Sequence, residues 1–204
     1  MAEEKVIIES GVLKLEGLLA DLPGDKGLVM THPHSLYGGS MHNPVVEAVV
    51  RAYQDRGYAT LRFNFRGVDG SQGNFGDGIG EQEDVIAALD TMLDLGKTQI
   101  DLGGYSFGAW VCARGLERLP AVRRFLMVSP PVSAMDMDDL GGMNQLGLVI
   151  AGSVDDIGEV SHIRKLMPGW NPEAALEVID GADHFYGGQT GEIEAIVRGF
   201  LDKG

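Results

Sequence analysis

Residues 99–116 read QIDLGGYSFGAWVCARGL. A short run that fits a buried strand reaches Gly104-Tyr105-Ser106-Phe107-Gly108 and continues as a helical segment. A serine in a tight turn between strand and helix sits in strained backbone, with the residues two positions to either side pressed against it. Glycine at 104 and 108 removes the side chains that would clash there. Such a turn lifts the hydroxyl off the end of a sheet and points a helix N-terminus at negative charge that develops beside it. The spacing alone is a weak signal, because 30 of the 204 residues are glycine. Its force lies in what it demands elsewhere: a sheet to carry the turn, and an acid and a histidine leaving later strands to activate the serine.

The rest of the chain alternates in the required way. Residues 6–9 and 14–19 predict an antiparallel hairpin around Ser10-Gly11. Residues 27–31 (GLVMT) form a short apolar run of the kind buried on both faces of a parallel sheet. A helix is predicted over 44–55, with Asn43 as its cap and Pro44 in its first turn. Its apolar side is Val45, Val46, Val49, Val50 and Tyr53. Strand 58–63, a glycine-rich loop over 64–77 and helix 81–95 follow, the last with Val85, Ala88, Leu89 and Met92 on one side. Beyond the serine turn come strand 125–128, strand 146–151, a short helix 160–167, strand 175–179 and a closing helix 191–201. The alternation predicts one α/β domain over 1–204. It is a three-layer sandwich with a mostly parallel, doubly wound sheet and little room for a lid in 133–144. Such sheets bind ligands beyond the carboxyl ends of their strands.

Composition narrows the function classes. A net charge of -14 argues against a nucleic-acid backbone as partner. No apolar run is long enough to span a bilayer, and the start MAEEKVIIES lacks the basic and apolar regions of a signal peptide. With a single cysteine there is no intramolecular disulfide, which fits a cytoplasmic location. A homodimer is the expectation only because symmetric dimers are common.

Ser106 is the candidate nucleophile and needs a base within hydrogen-bond reach. His184, in Ala182-Asp183-His184-Phe185 after the last strand, is the candidate base. The acid that orients the imidazole is Asp155 or Asp156. Asp155 is preferred because it lies three residues beyond Gly152 at a strand exit, while Asp156 is placed to cap the next helix. Asp183 is assigned to its own loop backbone. An oxyanion hole needs two N–H groups, one from Phe107 and one from His34 or Ser35, since Pro33 has none. Leu36, Tyr37, Phe107 and Phe185 are the first choices to line a substrate pocket. His32 and His34, even with His42, match no metal-ligand spacing and are read as structural or substrate-lining, so neither metal nor cofactor is assigned. Arg66 is read as a loop anchor paired with Asp69, Asp77, Glu81 or Glu83, and Cys112 as a small buried helix residue.

Together these residues resemble the alpha/beta-hydrolase superfamily along nearly the whole chain, and within it the small, lidless, dienelactone-hydrolase-like bacterial hydrolases. The shared marks are His32-Pro33-His34 with Tyr37-Gly38-Gly39 and Asn43-Pro44, then Leu61 to Gly67, Gly104 to Ala109, Gly152 with Asp155, and Ala182 to Tyr186. The resemblance implies a Ser106–Asp155–His184 triad and an oxyanion hole from Phe107 and the His34/Ser35 region. Dienelactone hydrolases proper carry cysteine where this chain has Ser106, so that particular reaction is not implied. The expected function is a serine hydrolase acting on a small carboxylic ester as its small-molecule partner. The alternatives are a thioesterase or small-peptide hydrolase with the same triad, and a hydrolase-fold protein that binds without turnover.

Overall fold

The computed structural model describes residues 2–203. Its centre is an eight-stranded sheet in the order β1-β2-β4-β3-β5-β6-β7-β8. The strands are β1 (Glu4–Ser10), β2 (Leu13–Ala20), β3 (Lys26–Thr31), β4 (Ala59–Phe63), β5 (Gln99–Tyr105), β6 (Val122–Val128), β7 (Leu146–Gly152) and β8 (Ala175–Ile179). β1 and β2 pair antiparallel, and β2 runs antiparallel to β4. All pairings from β4 to β8 are parallel. The helices are α1 (Pro44–Gln54), α2 (Ile79–Asp94), α3 (Phe107–Gly115), α4 (Val160–Trp170) and α5 (Thr190–Leu201).

Side-chain alternation along the parallel strands divides the interior into two layers. Leu28 and Met30 of β3 face one core with Val45, Val49 and Tyr53 of α1 and Ile193 and Val197 of α5. Val29, between them, faces the other core with Val85 and Leu89 of α2, Val111 and Cys112 of α3, and Ile163 and Trp170 of α4. The same division runs along β6 and β7. These strands read as continuous apolar runs because both faces are covered.

The local expectations hold with two informative differences. Asn43 caps α1, its side chain accepting from the Val45 N–H at 2.9 Å. α4, however, continues past Met167 through Pro168 and Gly169 to Trp170. Trp170 is buried and seals the end of that core, which offsets the weak helix propensity of the Pro-Gly pair. Arg66 is a loop anchor, but its partner is Asp84 rather than any of the four expected carboxylates. Asp84 lies on the inward side of α2, fully buried, and receives both the Arg66 guanidinium (2.7 Å to Oδ1) and the Arg66 N–H (3.0 Å to Oδ2). Glu81 is occupied at the head of the helix, accepting from the N–H groups of Gly76 and Gly78 at 2.8 Å each. Asp69 accepts instead from Asn64.

Topology sets where chemistry can occur. From β3 the chain crosses by α1 to β4 on one side, then returns by α2 to β5 on the other side of β3. The loops leaving β3 and β5 therefore diverge to opposite faces, opening a crevice between adjacent strands. Removal of the buried Asp84 carboxylate should test how firmly the loop beside this crevice is held. Asp84→Ala leaves the Arg66 guanidinium without its partner and is expected to destabilise the fold by about 3 kcal/mol, read as a lower urea midpoint at unchanged m-value.

Candidate active site

Ser106 stands in the turn between β5 and α3 with φ +53° and ψ -119°. The two glycines make this turn possible by close approach. A Cβ at Gly104 would fall 2.5 Å from the Ala109 Cα, and one at Gly108 would fall 2.7 Å from the His32 carbonyl oxygen. α3 thus starts directly against β5 and the end of β3, and Ser106 is left at the sheet's carboxyl edge.

Two later parallel strands, beyond β6 in the sheet, deliver the partners. Asp155 leaves β7 and His184 leaves β8. His184 Nε2 lies 2.9 Å from Ser106 Oγ, and its Nδ1 lies 3.0 Å from both Oδ1 and Oδ2 of Asp155. Ser106, Asp155 and His184 are all buried. The Asp155 carboxylate also accepts from the N–H groups of Ile157 (2.9 Å) and Gly158 (2.7 Å) and from the Ser129 hydroxyl (2.6 Å). Burial pushes its pKa up, but the hydrogen bonds from His184, Ser129 and Gly158 outweigh that and hold it below the ordinary carboxylate value. It therefore remains an anion facing the imidazole. Asp156 is exposed and does not cap α4, whose N-cap is Glu159. Asp183 turns back on its own loop, accepting from the Phe185 N–H at 2.9 Å and the Tyr186 N–H at 3.1 Å.

The loop after β3 faces the start of α3. Its carbonyl at His34 accepts from the N–H groups of Tyr37 and Gly39 at 3.0 Å each. The Leu36 N–H donates to His34 Nδ1 at 3.2 Å, so the neutral His34 ring carries its proton on Nε2. That ring packs 4.6 Å from Phe107 and 5.1 Å from Phe75. Among the described backbone hydrogen bonds, the N–H groups of Phe107, His34 and Ser35 have no acceptor. Free N–H groups are expected at a helix start, and Phe107 supplies one beside Ser106. His32 has a different job. It is fully buried; its Nδ1 lies 2.6 Å from the Pro33 carbonyl and its Nε2 accepts from the Phe65 N–H at 3.0 Å. Both ring nitrogens are thus used in joining the β3 loop to the loop after β4. Burial drives its pKa down to about 4.

A cavity of about 440 Å³ opens beside Ser106, lined by Tyr37, Asn43, Tyr105, Ile157, His184 and Phe185 together with the Pro33–His34 and Gly38–Gly39 backbone. Among the described residues, no Asp, Glu, Lys or Arg lines it. Of the residues read as pocket lining from the sequence, Tyr37 and Phe185 are there, while Leu36 is exposed outside it and Phe107 is buried behind His34. A larger hollow of about 790 Å³ between the β1–β2 hairpin and α2 shares no residue with this cavity and contains no serine–histidine pair.

Four contributors escaped the sequence reading. Tyr105 was only the filler of the serine motif, yet its hydroxyl donates to the His184 carbonyl at 2.7 Å. Gly158 and Ile157 cradle the acid; an aspartate followed three residues later by glycine is the available signal. Ser129 follows strand 125–128 and precedes two prolines, a setting in which nothing marks it as a partner of Asp155.

Comparison with known proteins places this geometry among relatives. The profile of the Alpha/beta hydrolase family matches residues 28–202. An uncharacterized protein of Rickettsia prowazekii (strain Madrid E) is 35% identical over 183 residues, covering 85% of this chain and 77% of that protein. An alpha-beta serine hydrolase homologue from Coxiella burnetii superposes with TM-score 0.90 at 30% identity, covering 98% of each chain. A serine hydrolase without lid from Xanthomonas campestris superposes with TM-score 0.89 at 27% identity, covering 100% of this chain and 95% of that one.

The buried His32 yields a stability prediction with a definite sign. Its pKa is 6.5 unfolded and about 4 folded, so between those values the unfolded chain binds the extra proton and stability falls as pH is lowered. The full effect is about 3 kcal/mol. His32→Gln keeps an acceptor for Phe65 but does not titrate. Urea unfolding at pH 7 and pH 5 should therefore show a smaller loss on acidification in the variant than in the wild type.

Proposed function

The chain belongs to the alpha/beta hydrolase family, and on that footing we propose that it is a serine hydrolase cleaving small, uncharged carboxylic esters through an acyl-enzyme on Ser106. The observation that carries this reading is the continuous chain Ser106 Oγ, His184 Nε2, His184 Nδ1, Asp155, with steps of 2.9 and 3.0 Å, on the wall of an apolar cavity.

The ionised Asp155 can only accept, so it holds the neutral imidazole's proton on Nδ1 and leaves the Nε2 lone pair facing Ser106. As Oγ attacks the ester carbonyl, its proton passes to Nε2. Asp155 stabilises the resulting imidazolium, and the negative charge on the carbonyl oxygen is taken by the Phe107 N–H and a second N–H from His34 or Ser35. Collapse breaks the ester C–O bond, and Nε2 returns the proton to the leaving alcohol. Water then enters, gives its proton to Nε2 and attacks the acyl carbon; the acid leaves and Ser106 recovers its proton. The absence of charged groups from the cavity lining supports neutral substrates. It weighs against a thioester on a phosphorylated carrier, whose head group would call for basic residues at the rim. Tyr37 and Phe185, both strongly exposed, offer aromatic surface at the mouth for a short acyl or alcohol group.

A fluorophosphonate probe should label the wild type at Ser106 and fail to label Ser106→Ala or His184→Ala. On p-nitrophenyl esters either substitution should lower kcat by at least ~1,000-fold. Asp155→Asn should lower it by roughly 10,000-fold, because the amide favours the wrong tautomer. Asp156→Asn should leave it within about twofold. Activity should fall as the acyl chain outgrows the cavity. A folded wild type that neither labels nor turns over any ester would reject the proposal and bring forward a binding role.

A further inference from the structure

The hydrogen bonds of Asp155 extend one layer further than the serine–histidine chemistry uses. Ser129, at the end of β6, and Tyr186, two residues beyond His184, are both fully buried. The Ser129 hydroxyl lies 2.6 Å from Asp155 Oδ2 and 2.6 Å from the Tyr186 hydroxyl. A serine hydroxyl has one hydrogen. The carboxylate can only accept, so that hydrogen goes to Asp155, and the phenol must be the donor to Ser129. Burial and the nearby Asp155 and Asp183 charges raise the Tyr186 pKa, so the phenol keeps its proton and remains a donor. Both residues hold their place in strained backbone, Ser129 at φ +43° and Tyr186 at φ +54°. Non-glycine residues keep such conformations where the surroundings fix them.

We propose, resting on the Ser106–His184–Asp155 reading above, that Ser129 and Tyr186 are positioning residues: a two-hydroxyl relay that fixes the plane of the Asp155 carboxylate so that both oxygens face His184 Nδ1. Without it, Oδ1 keeps its two backbone donors, but Oδ2 retains only the imidazole. The carboxylate is then free to pivot about Oδ1. The groups bearing on the pair besides the relay are Tyr105, whose hydroxyl is committed to the His184 carbonyl, and Asp183, committed to two backbone N–H groups. Neither can replace the lost donor.

Ser129→Gly and Tyr186→Phe test the relay with little threat to the fold. Glycine adopts φ +43° without strain, and phenylalanine keeps the buried ring. Ser129→Gly is expected to lower kcat roughly tenfold with KM unchanged, as suits loss of a hydrogen bond to a charged group. Tyr186→Phe should lower it by a smaller factor, and the double variant should match Ser129→Gly alone, since the phenol acts only through the serine. The acid limb of the kcat/KM profile should move to higher pH in Ser129→Gly, because the Asp155–His184 pair takes up its first proton more readily once Ser129 no longer shares the negative charge. A structural role alone would give none of this pattern. A second channel does not depend on turnover: in the proton NMR spectrum, the low-field resonance of His184 Nδ1–H, identified by its loss in Asp155→Asn, should shift in both single variants. An absence of fluorophosphonate labelling in the wild type would defeat the hydrolase reading while this resonance still judges the relay. A resonance at the wild-type position in both variants, or kinetic losses that multiply in the double variant, would overturn it.

Discussion

The strained turn at Ser106 is the constraint on which the arrangement depends. A φ of +53° at a non-glycine residue is held only because α3 and the end of β3 close on the turn, and they can close because positions 104 and 108 lack side chains. The same contact fixes the β3 loop against the head of α3, with His34 packed on Phe107. Candidate nucleophile and candidate oxyanion donors are thus placed by one packing event. His32 reinforces it from below, joining the β3 loop to Phe65 after β4. Because the turn lies where the β3 and β5 loops diverge, the hydroxyl faces a crevice rather than a covering helix.

From that turn the site is laid out as a row along the carboxyl edge. β5 carries Ser106, β6 carries Ser129, β7 carries Asp155, and β8 carries His184 and Tyr186. Parallel strands lie ~4.8 Å apart, so Ser129 reaches Asp155 and Asp155 reaches His184 from adjacent strands, while the loop after β8 brings His184 back across β7 and β6 to Ser106. This explains how a buried carboxylate is kept ionised with no Lys or Arg paired to it among the described residues. Four donors from three directions replace its hydration, two from its own loop, one from β6 and one from β8.

Much of this was readable from residues alone, for physical reasons that differ between elements. The two-sided burial of β3, β6 and β7 writes short apolar runs, and the amphipathic helices α1, α2 and α5 write a 3.6-residue period. The grouping of Ser106, Asp155 and His184 was legible because each follows a strand and belongs to a short list of residue types suited to such a cluster. The Asp155 choice over Asp156 followed from distance to the strand exit, and the exposed Asp156 is consistent with it. Long-range pairing was not legible. Arg66 could have met any of five nearby carboxylates, and only the rotation of α2 decides that Asp84 faces it. Trp170 extends α4 through Pro168 because of a core that no local propensity encodes. Ser129 and Tyr186 are 57 positions apart, and although Tyr186 closes the run Ala182 to Tyr186, nothing in that run points to Ser129.

The distribution of backbone strain ties these observations together. Among the described residues, five other than glycine have positive φ: Asp69, Asp77, Ser106, Ser129 and Tyr186. Two are aspartates in the loop after β4, a residue type that tolerates this region. The other three are Ser106 and the two relay residues. Each such conformation costs on the order of 1–3 kcal/mol, so their concentration at one edge needs a compensating interaction. Ser106 and Ser129 directly follow β5 and β6, Tyr186 lies in the loop between β8 and α5, and all three use the hydroxyl that this backbone aims: toward His184, toward Asp155 and toward Ser129. An unstrained φ would turn each side chain out of the row. The rigid parallel sheet supplies the stability against which that strain is set, and the edge row is where it is spent on direction rather than on packing.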